Sequence, residues 1–437
     1  MRLRACLLAI AVVLPTRAFA QTPPPAAPPP AMPPAPEKPA ADMAPAAAPA
    51  GAPAPAAVLA APPAVPAAPA AAPGPTPKFV FGGLVDTYYM YNFTPPSGAN
   101  SLSAAGPGLP LGAGGALVPI GVGRAFDTNA NSMTLALAKL TMNASLDVVS
   151  LQLDLGYGSV GTIINGANGG SVGTPVAGSF LVEQAFGEIT LPIGLPSFTL
   201  DFGKFTTTAG AEVIEANKNW LYSRSLLFNA IPLLHTGARA NLKINDNLTL
   251  QASLVNGWNN DPDLNAWKTG GISASITVNP MLSIVATTYF GKEGQPQPAG
   301  GSTPGDLRFL GDLVAALTVN SQFGLNLNVD YIKAFDDVAA DYQIGAALMG
   351  RYVISDRLNV AARGEFLASH YDATPIGAQT FKQGEGTIML GIDVGKNFEL
   401  RPEIRADFAS QIAGADVLQA GTKSSEVTGE LAALTWF

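Results

Sequence analysis

Thiols, imidazoles and charge are all scarce in this chain. One residue in 437 is a cysteine, Cys6, and two are histidines, His235 and His370. Cys6 lies in a stretch that reads as a secretory leader: Arg2 and Arg4, an apolar core from Ala5 to Leu14, and Ala18-Phe19-Ala20 as a small-x-small cleavage site before Gln21. Without residues 1–20 the chain has no thiol, which excludes disulfides and thiolate metal sites. The pattern His-Glu-x-x-His and a phosphate-binding glycine loop before a helix are absent too, so no metal or nucleotide cofactor is expected. Charged residues are 13% of the whole, against about 25% in soluble domains. Basic residues number 24 against 32 acidic, a net charge of −8, and loss of Arg2, Arg4 and Arg17 with the leader takes −8 to −11. So acidic a chain is a poor partner for nucleic acid. Beyond the leader no window offers about 18 uninterrupted apolar residues, which excludes a spanning helix. A secreted, apolar, helix-poor chain points instead to a β-barrel in a membrane.

What the chain does have begins with Ala and Pro. They make up nearly all of residues 21–77, where Glu37, Lys38 and Asp42 are rare charges. Such a segment has little to bury and too few backbone donors to form a core, so it reads as an extended, disordered periplasmic spacer. The remainder, 78–437, is expected to be the barrel. Its key is Phe398–Ala409. There Phe398, Leu400, Pro402, Ile404, Ala406 and Phe408 share one parity, and Glu399, Arg401, Glu403, Arg405 and Asp407 the other. A strand puts these sets on opposite faces, whereas a helical period would mix them. One face then suits lipid and the other a hydrated lumen.

Sixteen such segments can be read, joined alternately by short polar turns and by longer connections at 92–131, 159–179, 208–232, 259–266, 293–306, 335–341, 371–385 and 410–424. This predicts an all-β, transmembrane, antiparallel up-and-down barrel of about 16 strands, with tight periplasmic turns and outer loops. Aromatic residues near strand ends, among them Tyr88, Tyr89, Tyr91, Tyr157, Trp258, Tyr289, Phe290, Tyr352, Phe398, Trp436 and Phe437, suit membrane-interface girdles. A terminal Phe437 on an alternating last strand resembles the signal read by the outer-membrane barrel assembly machinery.

The chain resembles a known family, the β-barrel porins of the second type, outer-membrane porin-like. The residues that carry the resemblance are Gly83-Leu-Val-Asp86, Tyr88 through Phe93, Phe126-Asp127, Asn131-Ser132, Gly203-Lys204-Phe205, Gly210-Ala-Glu-Val-Ile-Glu215, Asn219-Trp220, Tyr222-Ser-Arg-Ser225, His235-Thr-Gly237 and Val255-Asn-Gly-Trp258. The spacer is unusual for that family, and Thr206–Ala209 stands where a proline is expected. The resemblance implies an outer-membrane barrel, passive solute conduction and a homotrimer.

The connection 208–232 is an odd outer loop, because Ile214, Leu226, Leu227, Phe228 and Ile231 need burial. It is expected to fold inward and narrow the pore with Glu212, Glu215, Lys218 and Arg224. Arg239, Lys243, Arg363, Arg401 and Arg405 would face its acids. Together with Asp330, Glu365, Glu399, Glu403 and Asp407 they form the expected pore lining, and opposed charges at such a constriction set ion preference. Across strands the same charges would also neutralise one another. No catalysis is expected, since neither His235 nor His370 has a nucleophile or acid-pairing signal beside it. The expected function is passive diffusion of small hydrophilic solutes or ions across the outer membrane. The alternative is a structural barrel, embedded in outer-membrane lipid and tethered to the cell wall by peptidoglycan contact through residues 21–77.

Overall fold

The computed structural model describes residues 76–94, 109–111, 116–118, 124–167, 179–263, 265, 267–293, 306–335, 341–371, 378–411 and 423–437. The expected leader, the spacer up to residue 75 and parts of the long connections lie outside the described residues. The strands are β1 (Lys78–Asn92), β2 (Leu109–Leu111), β3 (Ala116–Val118), β4 (Ser132–Leu146), β5 (Val149–Tyr157), β6 (Phe180–Thr190), β7 (Ser197–Thr206), β8 (Leu234–Asn245), β9 (Leu248–Val255), β10 (Thr269–Asn279), β11 (Leu282–Glu293), β12 (Asp306–Thr318), β13 (Phe323–Ala334), β14 (Tyr342–Ser355), β15 (Leu358–Tyr371), β16 (Gln379–Asp393), β17 (Phe398–Ala409) and β18 (Ser425–Trp436). β2 and β3 pair only with each other, within the first long connection. The other sixteen form one closed antiparallel barrel in chain order, with β1 between β18 and β4. An even strand count puts both ends of the barrel segment at the rim of short turns.

Side-chain chemistry explains the connections. At three of the short turns an asparagine carboxamide takes the place of a strand partner. Asn245 Oδ1 accepts from the Asn247 amide at 2.8 Å, Asn279 Oδ1 from Met281 and Leu282 at 2.8 and 2.9 Å, and Asn320 Oδ1 from Gln322 and Phe323 at 2.8 and 2.9 Å. Asn tightens a turn in this way by holding its own chain two residues on. At the seam, Gly83 and Phe437 exchange backbone bonds of 3.2 and 3.1 Å. A Cβ at Gly83 would lie 2.3 Å from the Phe437 ring where it now rests, so a larger residue there would make this exposed terminal ring swing aside.

The parity expected for Phe398–Ala409 is present: Phe398, Ile404 and Phe408 are exposed, while Glu399, Arg401, Glu403, Arg405 and Asp407 are buried on the other face. Strand boundaries fall within a few residues of expectation except in β16, which starts at Gln379 and not Gly386. There the outward positions are Lys382, Gly384 and Gly386, which hide the apolar side of the alternation. Two helices were not expected: α1 (Ser159–Ala167), and α2 (Leu226–Ala230) within the connection 208–232. Of the aromatics, Tyr89, Tyr91, Tyr157, Phe290, Tyr352, Phe398 and Phe437 are exposed. Tyr88 and Tyr289 instead point inward and are buried.

An arginine on the lipid face near the bilayer midplane costs about 2–4 kcal/mol. Ile404 sits outward in the middle of β17, so Ile404→Arg should lower unfolding stability in lipid vesicles by about that amount. Urea titration followed by tryptophan fluorescence measures it, and an unchanged midpoint would place this face away from lipid.

Candidate functional site: a loop bound across the inner wall

The connection 208–232 runs across the inward face of the barrel. It leaves β7 with Thr207 N donating to Leu233 O at 2.9 Å, so its two stems are paired. Gly210, at φ +86°, turns the chain inward where a Cβ would meet Ile231. The loop then makes a single 3-10 turn at Ala216–Lys218 and the short helix α2. Ser225 begins α2 by accepting from the Phe228 amide at 3.0 Å, as an N-capping serine does. Inside the loop, the Asn219 carboxamide pairs with both backbone groups of Val213 at 3.0 and 2.8 Å. The Arg224 guanidinium donates to the carbonyls of Val213, Ile214 and Tyr222.

Three apolar contacts hold this segment. Ile214, Ala216, Tyr222 and Phe228 pack with Leu84, Tyr88, Met90, Ala432 and Leu434 on β1 and β18, and with Phe126. Leu221, Leu226 and Leu227 pack on Ala347, Met349, Ala361, Leu367 and Met389 of β14, β15 and β16. Ala209 and Ile231 pack on Tyr289, Leu310 and Ile332 of β11, β12 and β13. Burying each large side chain contributes about 1.5–3 kcal/mol. The inner wall is therefore partly dry, contrary to the uniformly polar interior expected from alternation alone.

Between these contacts, charged wall residues meet the loop backbone. The Glu403 carboxylate accepts from the amides of Tyr222 and Ser223 at 2.8 and 3.2 Å. The Glu365 carboxylate accepts from Leu226 at 2.6 Å. Arg401 donates to the carbonyls of Ala216 and Asn219 at 2.8 and 3.0 Å, and Arg405 to that of Arg224 at 2.6 Å. Arg363 donates to Ser223 O at 2.8 Å and pairs with Glu212 at 3.0 Å and Glu385 at 2.5 Å. Glu212 also accepts from the Ser225 amide at 2.9 Å. Acids thus take loop N–H groups and bases take loop carbonyls.

The expected site residues separate accordingly. Asp330, Arg363, Glu365, Glu399, Arg401, Glu403, Arg405 and Asp407 are buried, while Arg239 and Lys243 are only partly so. Of the five bases expected to face the loop acids, Arg363 alone does, through Glu212. Arg401 and Arg405 reach loop carbonyls instead. Arg239 pairs with Asp201 at 2.7 Å and Lys243 with Asp246 in its own turn at 2.8 Å, because each finds an acid nearer in the sheet. Glu215 pairs with Lys139 of β4 and with Lys218, both at 2.7 Å. Burial alone would raise the Glu215 carboxyl, but the two ammonium groups outweigh it and hold it below the ordinary carboxylate range. Lys139 also reaches Glu183 and Asp154 at 2.8 and 3.1 Å.

The sequence reading missed Lys139 and Asp86 as well. The Tyr222 hydroxyl donates to Asp86 at 2.8 Å. Burial, then the Asp86 carboxylate, hold the Tyr222 phenol well above its ordinary range, so it stays a donor. Asp86 falls within the run Gly83–Asp86 singled out above, which was the available signal. Lys139 stands alone in an apolar strand and gave none.

Removing one partner from a buried charge network costs about 3–5 kcal/mol, because the others are left unpaired. Arg363→Met should destabilise by that order and loosen the loop, so that trypsin cleaves after the already exposed Lys218 faster than in wild type. Limited proteolysis in vesicles beside urea unfolding measures both, and a cleavage rate equal to wild type would contradict the anchoring role.

No curated protein matches the chain. Among solved structures, the anion-selective porin from Comamonas acidovorans aligns at 10% identity and TM-score 0.52, covering 83% of this chain and 100% of that one. Outer-membrane expressed OmpT of Vibrio cholerae aligns at 10% identity and TM-score 0.52, covering 83% and 98%. The outer membrane channel DcaP of Acinetobacter baumannii aligns at 13% identity and TM-score 0.50, covering 83% and 97%. At such identities the likeness shows the fold alone. Residues 78–437 match the family described as "Putative beta-barrel porin-2, OmpL-like". The chain belongs to this family of outer-membrane β-barrel porins.

Proposed function

We propose that this porin lets small hydrophilic solutes and ions diffuse passively through a water-filled bore that the connection 208–232 narrows. The carrying observation is the attachment of that connection to inward wall groups at several separate points. A loop so held takes up lumen area and leaves the rest of the wall to water. The remaining wall is polar in β4 to β9. There Gln152, Gln184, Asn241 and Gln251 are partly buried and bond to one another or to neighbouring acids, as Gln251 to Asn241 at 2.7 Å and Gln184 to Asp154 at 2.7 Å. A wall of amides and charges favours hydrated solutes over apolar ones. Lys218 is 60% exposed and is the loop charge placed to meet passing ions.

The proposal includes short turns toward the periplasm and a homotrimeric assembly. It includes no catalysis. His235 stacks on Tyr289 at 4.6 Å with Nδ1 3.1 Å from Gly257 O, and His370 stacks on Tyr342 at 4.9 Å, which are packing arrangements. Among the described residues no cluster of acids, histidines and cysteines could hold a metal.

Deleting 212–228 should raise single-channel conductance in a planar bilayer roughly severalfold, since a constriction dominates the series resistance of a pore. It should also move the reversal potential in a salt gradient, because Glu212, Glu215, Lys218 and Arg224 leave together. Unchanged conductance would remove the constriction from the account.

A further inference from the structure

The outward positions of the barrel strands are almost free of charge, and the exceptions are not scattered. Among the described strand residues, only Lys204, Lys292, Lys333 and Lys382 are charged and share parity with the exposed apolar face. All four are lysines. All four lie near the strand ends that lead to long connections: Lys204 late in β7, Lys292 late in β11, Lys333 late in β13 and Lys382 early in β16. Lys204 is neutralised by Asp261 at 2.7 Å. The other three form no ion pair with a described residue. Lys292 lies 4.8 Å from the Trp267 ring and Lys333 5.4 Å from the Phe335 ring.

Register places two of these lysines on one patch. Lys333 stands beside Tyr342, Tyr342 beside His370, and His370 beside Thr380, one residue from each of four successive strands. Lys382 follows on the same face, beside Ala368. The rings of Tyr331, Tyr342 and His370 stack in series, at 6.4 and 4.9 Å, as an apolar floor with polar edges. Generic snorkelling would put lysines at both rims. The short-turn rim instead carries Phe79, Phe323, Tyr352 and Phe398 outward; its lysines are Lys396 in a turn and Lys78 and Lys243 on the inward parity of β1 and β8. Outward strand lysines confined to one rim suit an anion found on one side, and barrels of this kind present their long connections to the outside.

We infer that Lys333 and Lys382, with the Tyr342 and Thr380 hydroxyls between them, form a binding site on the outer wall for the phosphate of an outer-leaflet glycolipid headgroup. The acyl chains would lie along the apolar face below, over Ile344, Leu348 and Phe366, which are exposed there. The inference concerns the outside of the barrel and does not rest on conduction through it. Each lysine near an anionic surface strengthens attraction by about fivefold, so the pair should account for roughly 30-fold.

The test uses the full chain in phosphatidylcholine nanodiscs doped with diphosphoryl lipid A or with its dephosphorylated form, and counts bound glycolipid by native mass spectrometry. Wild type should retain the phosphorylated lipid at roughly 30-fold lower doping than the dephosphorylated one. The double variant Lys333→Gln and Lys382→Gln should lose most of that preference. Lys396→Gln, in the turn at the opposite rim, should keep it. Heat-modified gel mobility confirms that each variant is folded, and Lys333→Arg with Lys382→Arg should restore binding if the double glutamine variant misfolds. Equal retention of both lipids by wild type, or an unchanged preference in the folded double glutamine variant, would overturn the site.

Discussion

An irregular backbone inside a barrel has no ladder to complete, yet every N–H and C=O that leaves water still needs a partner. That constraint organises the interior of this porin. The connection 208–232 is pressed against β1 and β11 to β18, and its peptide groups cannot bond to strands already paired on both sides. Side chains of the wall supply the partners. Glu403 and Glu365 take amide donors, and Arg363, Arg401 and Arg405 take carbonyls. The alternating charges of β17 therefore do two things: they neutralise one another along the strand, and they fix the path of a distant loop.

The choice of charged groups follows from geometry. A guanidinium spreads several donors over a rigid plane, so Arg401 can serve two loop carbonyls and Glu399 at once. A carboxylate has two oxygens and can hold consecutive amides, as Glu403 does. Buried ion pairs add little net stability once desolvation is counted. Here they add position, while the apolar contacts of Leu221, Leu226, Leu227 and Phe228 supply the driving force. The division explains why inward positions of β14 to β16 are Ala347, Met349, Ala361 and Met389, residues that a purely aqueous lumen would not call for.

Much of this was legible from sequence, and for physical reasons. Parity along a strand is a local property, so the sixteen barrel strands and the sorting of Glu399 to Asp407 could be read without knowing their neighbours. Asn at short turns acts on its own chain and was equally readable. The need of Ile214, Leu226 and Phe228 for burial was visible because outer water could not supply it. Partner identity was not visible. Lys139 and Glu215 are 76 residues apart, and Tyr222 and Asp86 are 136 apart. Only closure of the barrel brings such pairs together. The start of β16 was lost because its outward glycines and Lys382 carry no apolar signal.

Residues 208–232 cover the inner wall, and a barrel segment without cysteine makes this directly measurable. Cysteines placed singly at Ala347, Ala361 and Met389 lie beneath the loop without replacing any charged anchor. A membrane-impermeant thiol reagent should label them slowly in the intact porin and quickly once 212–228 is deleted, with Gln251→Cys on the uncovered wall reacting quickly in both. Equal, rapid labelling of all four positions in the intact protein would contradict the account.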